Sequence, residues 1–185
     1  MRAVSTEIRP LWWSQIVKTT MLLFRMFARH LLVKKNIFVI KADEKLTKNK
    51  KKYFAGTAVL NDLSKTLATK EQKIYTALFK MGARTKLHYH MAGQILIAIK
   101  GSGVLVTYDK IAGNYRKKIK IKKVKEISLD RGDIIYIQAR KLHWHGSKDK
   151  KTDFCHIAIN SKIAGKEAKT VWFESDYETF AERMN

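Results

Sequence analysis

The sequence has few of the residues that mark disulfide-bonded, linker-rich or membrane-spanning proteins. Cys155 is its one cysteine and Pro10 its one proline, and it has nine glycines, which excludes a disulfide framework and a collagen-like or linker-rich chain. The most apolar long stretch, residues 21–40, is interrupted by four Lys or Arg residues, so a transmembrane helix is not expected. With 185 residues, 45% of them hydrophobic and 29% charged, the chain fits one cytoplasmic globular domain with a short appendage.

Acidic residues are also scarce. Lys and Arg number 38 against 16 Asp and Glu, a formal net charge of +22, which is typical of nucleic-acid binders. The excess is spread over the whole chain, however, with +10 in residues 1–52 and +12 in the remainder. Lysines outnumber arginines by 29 to nine, whereas specific phosphate and guanine recognition favours Arg. The charge therefore indicates a solvated lysine-rich surface, and specific nucleic-acid binding is not expected.

Residues 1–52 differ from the rest, because they show no strand alternation and carry three acidic residues against 13 Lys and Arg. We predict a basic N-terminal extension over residues 1–52 and a folded domain over residues 53–185. Lys18, Arg25 and Arg29 fall on one face of a helix, which would suit contact with a membrane surface. Because the apolar residues form no clean opposite stripe, we favour an extension that packs loosely on the domain.

The folded domain reads as all-β. Short alternating or apolar runs end at Gly, Asn or Asp, which is typical of a sandwich or barrel, and we predict eleven strands between residues 54 and 174. A hairpin loop is predicted at residues 110–114, and an amphipathic edge hairpin within the lysine-rich stretch 116–125. Residues 175–178 form a capping box, which predicts a short C-terminal helix that ends near Met184.

Two pairs of histidines stand out in this β region. His88 with His90, and His143 with His145, share the spacing His-x-His. Residues i and i+2 of a strand face the same side, so each pair directs both imidazoles into one space. One core histidine is usually structural, but two such pairs within residues 88–146 favour metal coordination. Imidazole ligands suit Mn, Fe, Co, Ni or Zn rather than Ca or Mg.

The residues around the first pair resemble the first motif of the cupin family. Five residues separate Gly82 from His88, the first histidine of the pair His88 and His90, and Gln94 and Gly101 follow at the family's spacing. Gln94 stands where glutamate is usual. A neutral amide in place of a carboxylate leaves a divalent metal site at a formal charge of +2 instead of +1, which makes the metal a stronger Lewis acid.

The second cupin motif is matched by residues 132–146, in which His143 takes the place of the family's last metal ligand. The family's usual turn with Pro and Gly is replaced by residues 138–140. The resemblance covers residues 53–176 and implies a cupin β-barrel, a double-stranded β-helix or jelly roll. Residues 53–57, 82–85, 143–146, 156–159 and 165–172 make the resemblance strongest to small single-domain cupins that include bacterial manganese-dependent hydroxynitrile lyases.

The resemblance also implies site residues. One divalent metal, with Mn or Fe the first expectation, would be held by His88, His90, Gln94 and His143. His156 matches the histidine that is placed as a base in the lyase-like cupins, with a buried structural role as the alternative. His145 shares a strand face with His143 and is the second candidate for proton transfer or for orienting a ligand. The strand pattern predicts a substrate pocket lined by Tyr75, Ala77 and Asn160.

Three functions stay open at this point. The first is a metal-dependent lyase that acts on a small organic substrate, with cyanohydrin cleavage as the nearest chemistry. An Fe(II) dioxygenase is the enzymatic alternative, and a noncatalytic ligand-binding or sensing cupin is the third. We also expect a homodimer, because open cupin barrels present strand edges that a second chain commonly covers, although the basic stretch 116–125 argues against burial of that edge.

Overall fold

The computed structural model describes residues 47–48, 51–67 and 69–185, and this part of the chain is almost entirely β-structure. The first strands are β1 (Thr47–Lys48), β2 (Phe54–Ala55), β3 (Ala58–Asp62), β4 (Gln72–Phe79), β5 (Arg84–Thr85), β6 (Leu87–His90), β7 (Gln94–Lys100) and β8 (Gly103–Gly113). The others are β9 (Lys118–Leu129), β10 (Ile134–Ile137), β11 (Leu142–Ser147), β12 (Phe154–Ile163), β13 (Lys166–Glu167), β14 (Thr170–Ser175) and β15 (Phe180–Arg183). The described helices are α1 (Leu63–Thr66) and a 3-10 turn at Lys51–Tyr53, and neither has the length or hydropathy to span a membrane.

The strands form two antiparallel sheets. Sheet I has the order β1-β3-β4-β12-β7-β10, with β13 attached to β12. Sheet II has the order β2-β5-β11-β6-β14-β15-β9-β8, and an additional pairing of β11 with β8 closes six of its strands into a ring. The predicted all-β fold, a barrel of the jelly-roll type, is confirmed.

Two hydrophobic cores result from this arrangement. The first lies between the two sheets, in the space called here the inside of the barrel, and includes Phe79 and Phe154, which are completely buried. The second packs against the other face of sheet II and includes Leu87 of β6 and Leu142 of β11. Strands β6 and β11 are therefore buried on both faces, and their alternate side chains, the histidines of both His-x-His pairs, point to the barrel side.

The predicted C-terminal helix is wrong, because residues 180–183 form β15, which pairs with β14 and β9. The Asp176 carboxylate accepts hydrogen bonds from the backbone N–H groups of residues 178–180 at 2.7–2.9 Å, and Tyr177 adopts a φ of 63°. Side chains of this kind cap N–H groups in turns as well as in helices. Ala181 then enters the second core, 1% exposed, so the segment after the turn follows a strand pattern.

The predicted hairpin loop at residues 110–114 is also wrong. Strand β8 continues to Gly113, and the turn lies at residues 114–117, where Asn114 Oδ1 accepts a hydrogen bond from the Arg116 N–H. Irregular pairing between Lys110 and Ala112 lets the strand continue through residues that read as a loop. β9 is one strand of 12 residues, paired with β15 as well as β8.

The predicted N-terminal extension, residues 1–52, overlaps the described structure at one strand and at the start of the 3-10 turn Lys51–Tyr53. β1, residues 47–48, pairs with β3 at the end of sheet I. Residues 1–46, which include the predicted basic helical face, lie outside the described residues.

Replacement of Gly101 by alanine should destabilise the fold by about 2–4 kcal/mol. Gly101 has a φ of +73°, which L side chains rarely adopt, and a Cβ there would lie 1.8 Å from the Asp153 carbonyl oxygen. Backbone strain and overpacking each cost about 1–3 kcal/mol. Urea unfolding measures the loss, and exposed Ser128→Ala on β9 is the control, expected within about 0.5 kcal/mol of wild type. An unchanged midpoint for Gly101→Ala would contradict the steric argument.

Candidate metal centre

Five histidines converge on the inside of the barrel from three strands. His88 and His90 lie on β6, His143 and His145 on β11, and His156 on β12 of the opposite sheet. Antiparallel pairing of β6 with β11 sets His143 directly opposite His88, with ring centroids 4.2 Å apart. All five side chains are buried, and His143 is completely inaccessible.

These histidines adjoin one cavity of about 590 Å³. His88, His90, His145 and His156 line it, whereas His143, whose ring lies next to that of His88, is not a lining residue. Aromatic and aliphatic side chains form much of the remaining wall, chiefly Tyr53, Phe54, Leu60, Phe79 and Trp172. The other residues singled out from the sequence, Tyr75, Ala77, Gln94 and Asn160, also line this cavity.

Backbone carbonyls fix the tautomers of two of the histidines. His88 Nδ1 lies 2.9 Å from the Lys86 carbonyl oxygen, and His143 Nδ1 lies 2.8 Å from that of Lys141. A carbonyl can only accept, so each Nδ1 carries the proton and each Nε2 keeps its lone pair. This tethering of one ring nitrogen to an oxygen is what metal-ligating histidines usually show.

Three buried acceptor or donor atoms of the predicted ligands have no hydrogen-bond partner among the described residues: His90 Nε2, Gln94 Oε1 and His143 Nε2. The Gln94 amide nitrogen donates to Asn160 Oδ1 at 2.8 Å, which leaves the amide oxygen unpartnered. A buried polar atom without a hydrogen-bond partner destabilises the folded state, so a group of them indicates that a bound ion or ligand satisfies them. A divalent cation is such a group, because imidazole nitrogen and amide oxygen are both metal ligands.

The structure also brings His145 to the two histidines that face each other. Potential ligand atoms of His88, His143 and His145 lie within 4.8 Å of one another. This triad can hold a metal, and it shares two members with the set predicted from the motifs. The sequence motifs did not include His145 among the ligands. Two ligand sets are therefore possible around His88 and His143: one adds His90 and Gln94, and the other adds His145.

A hydrogen bond joins the two histidines that do not belong to the motif set. His156 Nε2 and His145 Nδ1 are 3.1 Å apart, and two neutral imidazoles share one proton in such a bond. If His156 donates, its buried and unpartnered Nδ1 keeps a lone pair, and His145 carries its remaining proton on Nε2. If His145 donates, its Nε2 is free for a metal and His156 Nδ1 is protonated. A His156 base and a His145 ligand therefore exclude each other.

Burial keeps the imidazoles uncharged at neutral pH. Loss of solvation lowers the pKa of His90 to about 3 and the pKa values of His143 and His156 to about 4. The pKa values of His88 and His145 are also lowered well below the ordinary value, first by burial and then by neighbouring histidines. Neutral imidazoles are the form that binds metals and accepts protons.

Two residues of β14 support the histidines, and sequence reasoning assigned them no role. Register between β14 and β6 sets Thr170 beside His90 and Trp172 beside His88. Thr170 Oγ1 lies 2.9 Å from His90 Nδ1, and the Trp172 ring stacks on His88 with centroids 4.3 Å apart. The family resemblance includes residues 165–172, and this was the sequence signal for Thr170 and Trp172. The register of β14 against β6, however, cannot be read from the sequence.

Tyr75, at the cavity wall, forms a hydrogen bond with an acidic residue. Its hydroxyl donates to Glu167 Oε1 at 3.1 Å. Burial raises the pKa of Tyr75, and the nearby charge of Glu167 raises it further, so the phenol stays protonated. Lys73 forms ion pairs with Asp62 at 2.7 Å and with Glu167 at 3.8 Å, which places a charged cluster beside the cavity.

Residues 40–177 match the sequence model of the family described as Cupin. The chain belongs to the cupin family. A cupin-like protein from Thermotoga maritima has a TM-score of 0.54 and 25% identity, covering 75% of this chain and 94% of that chain. A mutant of Bacillus subtilis oxalate decarboxylase, 12% identical with a TM-score of 0.50, covers 70% of this cupin and 30% of its own chain, and so shows the fold alone.

A sequence relative gives a more specific similarity. An (R)-mandelonitrile lyase from Granulicella tundricola is 28% identical over 114 residues, which is 62% of this cupin and 76% of the lyase. Membership of the cupin family and the histidine triad both support the conclusion that this chain can hold a metal. The site lies on the inner face of β6 and β11.

Proposed function

We propose that this cupin is a metal-dependent lyase that acts on a small, largely apolar organic substrate with a hydroxyl or carbonyl group. The observation that carries the proposal is the set of buried, unpartnered atoms on His90, Gln94 and His143 beside the tethered His88. Such a cluster is costly in a purely structural core, and a cation satisfies all of it at once.

The proposed metal ligands are His88, His90, Gln94 and His143. Three neutral imidazoles and one amide oxygen suit a transition metal of intermediate softness, with Mn or Fe first and Zn, Ni or Co as further candidates. When bound, such an ion supplies Lewis acidity that polarises a substrate oxygen. The chain supplies no charged side chain among the four ligands, so the full charge of the ion is left for the substrate.

The remaining residues of the cavity bind the substrate and move its proton. Phe54, Leu60 and Trp172 offer an apolar wall for the substrate body. His156 Nδ1 accepts the substrate hydroxyl proton when His156 Nε2 donates to His145, and the depressed pKa of about 4 keeps that nitrogen unprotonated at neutral pH. His145 is then a positioning residue that sets the tautomer of the base.

Cyanohydrin cleavage is the reaction that we propose to test first, because the matched relative is an (R)-mandelonitrile lyase. The base takes the hydroxyl proton, the bond between the carbinol carbon and the nitrile carbon breaks, and its electron pair leaves with cyanide. The proton then passes from the base to cyanide. The products are an aldehyde and hydrogen cyanide, and no oxidant is needed.

The test is turnover of racemic mandelonitrile by protein purified without a metal-binding tag. We expect benzaldehyde release, followed by its absorbance, from protein loaded with Mn(II) or Fe(II), and none above the solution rate from chelator-treated protein. Oxygen uptake on Fe(II) loading would replace the lyase by a dioxygenase. Metal and ligand binding without turnover across a panel of cyanohydrins and hydroxy acids would support a sensing role and overturn the enzyme proposal.

Asn160 should act on metal affinity through Gln94. Because its Oδ1 accepts from the Gln94 amide nitrogen at 2.8 Å, it holds the amide oxygen towards the proposed metal. Asn160→Leu removes the acceptor and is expected to weaken metal binding about 10–100-fold, as measured by competition with a chromogenic chelator. Asn160→Asp keeps an acceptor and should bind at least as tightly as wild type. Equal affinity in all three proteins would remove this role from Asn160.

A further inference from the structure

A second cavity, of about 380 Å³, lies next to the one that the histidines line. The two cavities share four lining residues, Tyr53, Lys169, Thr170 and Trp172. The volume of the second cavity falls within the range of small-molecule sites, about 300–1,000 Å³. The metal chemistry proposed above uses none of the residues that line only this second cavity, so a different ligand can occupy it.

The second cavity lies at one end of sheet II, where β14, the end of β15 and the turn at residues 114–117 meet. The Arg183 N–H donates to the Lys117 carbonyl oxygen at 2.7 Å. In the turn, Asn114 Oδ1 accepts a hydrogen bond from the Arg116 N–H at 2.8 Å. These bonds hold the two segments that carry Arg116 and Arg183 against each other, so the sheet fixes the backbone positions of both arginines.

Three cationic side chains line this cavity, those of Arg116, Lys169 and Arg183, and we call it the basic cavity. Among the described residues, no Asp or Glu lines it. Within the same part of the chain, none of the three cations forms an ion pair or a side-chain hydrogen bond. Lys52 also reaches the rim, where its ammonium donates to the Asn185 backbone oxygen. Like charges without a counter-charge repel one another, so an anion that neutralises the three cations would be bound favourably.

The identity of the cations indicates an oxyanion. Lysines outnumber arginines by 29 to nine in the chain, yet two of the three cations of the basic cavity are arginines. A guanidinium presents a planar fork of N–H donors that binds two oxygens of a phosphate or carboxylate at once. A carboxylate carries a single negative charge, whereas a phosphate monoester carries about −1.5 to −2 at pH 7 and offers three acceptor oxygens. Three cations therefore match a phosphate group better than a carboxylate.

Aromatic and aliphatic side chains lie beside these cations. The Tyr53 and Trp172 rings stack with centroids 4.8 Å apart, and Val171 and Met184 line the same cavity. Small-molecule sites combine apolar walls of this kind with a few polar groups that fix the orientation of the ligand. Inorganic phosphate would leave the apolar wall without a contact, so the ligand that fits has an organic body as well as a phosphate.

We propose that the basic cavity binds a small organic phosphate monoester, whose phosphate lies among the three cations and whose body lies against Tyr53 and Met184. The inference does not depend on the reaction that the histidine cavity catalyses. Trp172 lines both cavities and stacks on His88, so this ligand binds one side chain away from a proposed metal ligand.

Titration calorimetry of the full chain with phenyl phosphate at physiological salt tests the proposal. We expect one phenyl phosphate per chain, and inorganic phosphate should bind at least about 10-fold more weakly because it buries no apolar body. Arg116→Gln and Arg183→Gln should each weaken phenyl phosphate binding about 10–100-fold, because each removes charge-assisted hydrogen bonds. Arg116→Lys keeps the charge but loses the planar fork, and its affinity should lie between those of wild type and Arg116→Gln.

The matched control is Arg131→Gln, which removes the same charge from an exposed arginine in the turn after β9 and should bind phenyl phosphate as wild type does. Arg116 is exposed, so Arg116→Gln should keep the fold, as checked by circular dichroism, even if Arg183→Gln does not. A chelator should leave the titration unchanged, because the proposed metal ligands lie outside the basic cavity.

Four outcomes would overturn the proposal. The first is binding that disappears with chelator, which would place the phosphate on a metal. The second is equal affinity in Arg116→Gln, Arg131→Gln and wild type, and the third is the uptake of several ligands per chain, both of which would indicate nonspecific attraction to the lysine-rich surface. The fourth is benzoate that binds as tightly as phenyl phosphate, which would show that the cavity does not select a phosphate.

Discussion

His156→Ala should retain one metal per chain and lose about 10²–10⁴-fold in kcat for the substrate identified by turnover. Removal of a general base typically costs that much, or about 2.7–5.5 kcal/mol in activation free energy. Metal content should not change, because His156 belongs neither to the motif ligands nor to the histidine triad. Steady-state kinetics on metal-analysed protein measure both quantities.

The neighbouring Ile157→Val is the control for this variant, since it changes the same strand on the outward side and should keep wild-type kcat. His145→Ala separates a base from a positioning residue. It removes the acceptor for the His156 Nε2 proton but leaves the base, so its loss in kcat should be smaller than that of His156→Ala. Full activity in His156→Ala would move the base role to His145, and loss of metal would make His156 structural.

The double variant His88→Ala with His143→Ala should reduce bound metal from about one equivalent per chain to none. Both donor sets that the structure permits share these two residues, so their removal leaves no set with more than two ligands. Atomic absorption measures the metal after dialysis against a weak chelator. Unchanged metal content would show that the site lies elsewhere.

Single variants decide which residues complete the site. His90→Ala should lower metal affinity strongly if the motif ligands are right, whereas His145→Ala should do so if the triad holds the ion. Thermal unfolding gives a second readout, because a ligand present at about 1,000 times its Kd stabilises the folded state by about 4 kcal/mol. Wild type should gain this stability on metal addition, and the double variant His88→Ala with His143→Ala should not.

Most of the barrel was predictable, because strand alternation is a local property of the sequence. The His-x-His pairs belong to the same category, since a period of two fixes the side of the sheet on which each imidazole lies. The convergence of β6 and β11 on one space was also accessible through the spacing of the motifs. Cupin membership followed from those spacings before any coordinates.

The errors and omissions arise where nonlocal pairing decides the structure. Asp176 caps N–H groups equally well in a turn or a helix, and the pairing of β15 with β9 determines which is formed. β8 extends through Gly113 because β9 offers it partners. The contribution of Thr170 and Trp172 depends on the register of β14 against β6.

Burial of β6 and β11 on both faces has a consequence for dynamics. Neither strand can separate from its neighbours without exposing the second core, so the amide protons of these strands should exchange with solvent only through opening of most of the domain. The histidines on them are then held in position before any ligand arrives, and binding orders little of the chain. Because ordering costs reduce affinity, a rigid scaffold of this kind leaves more of the interaction energy available for binding.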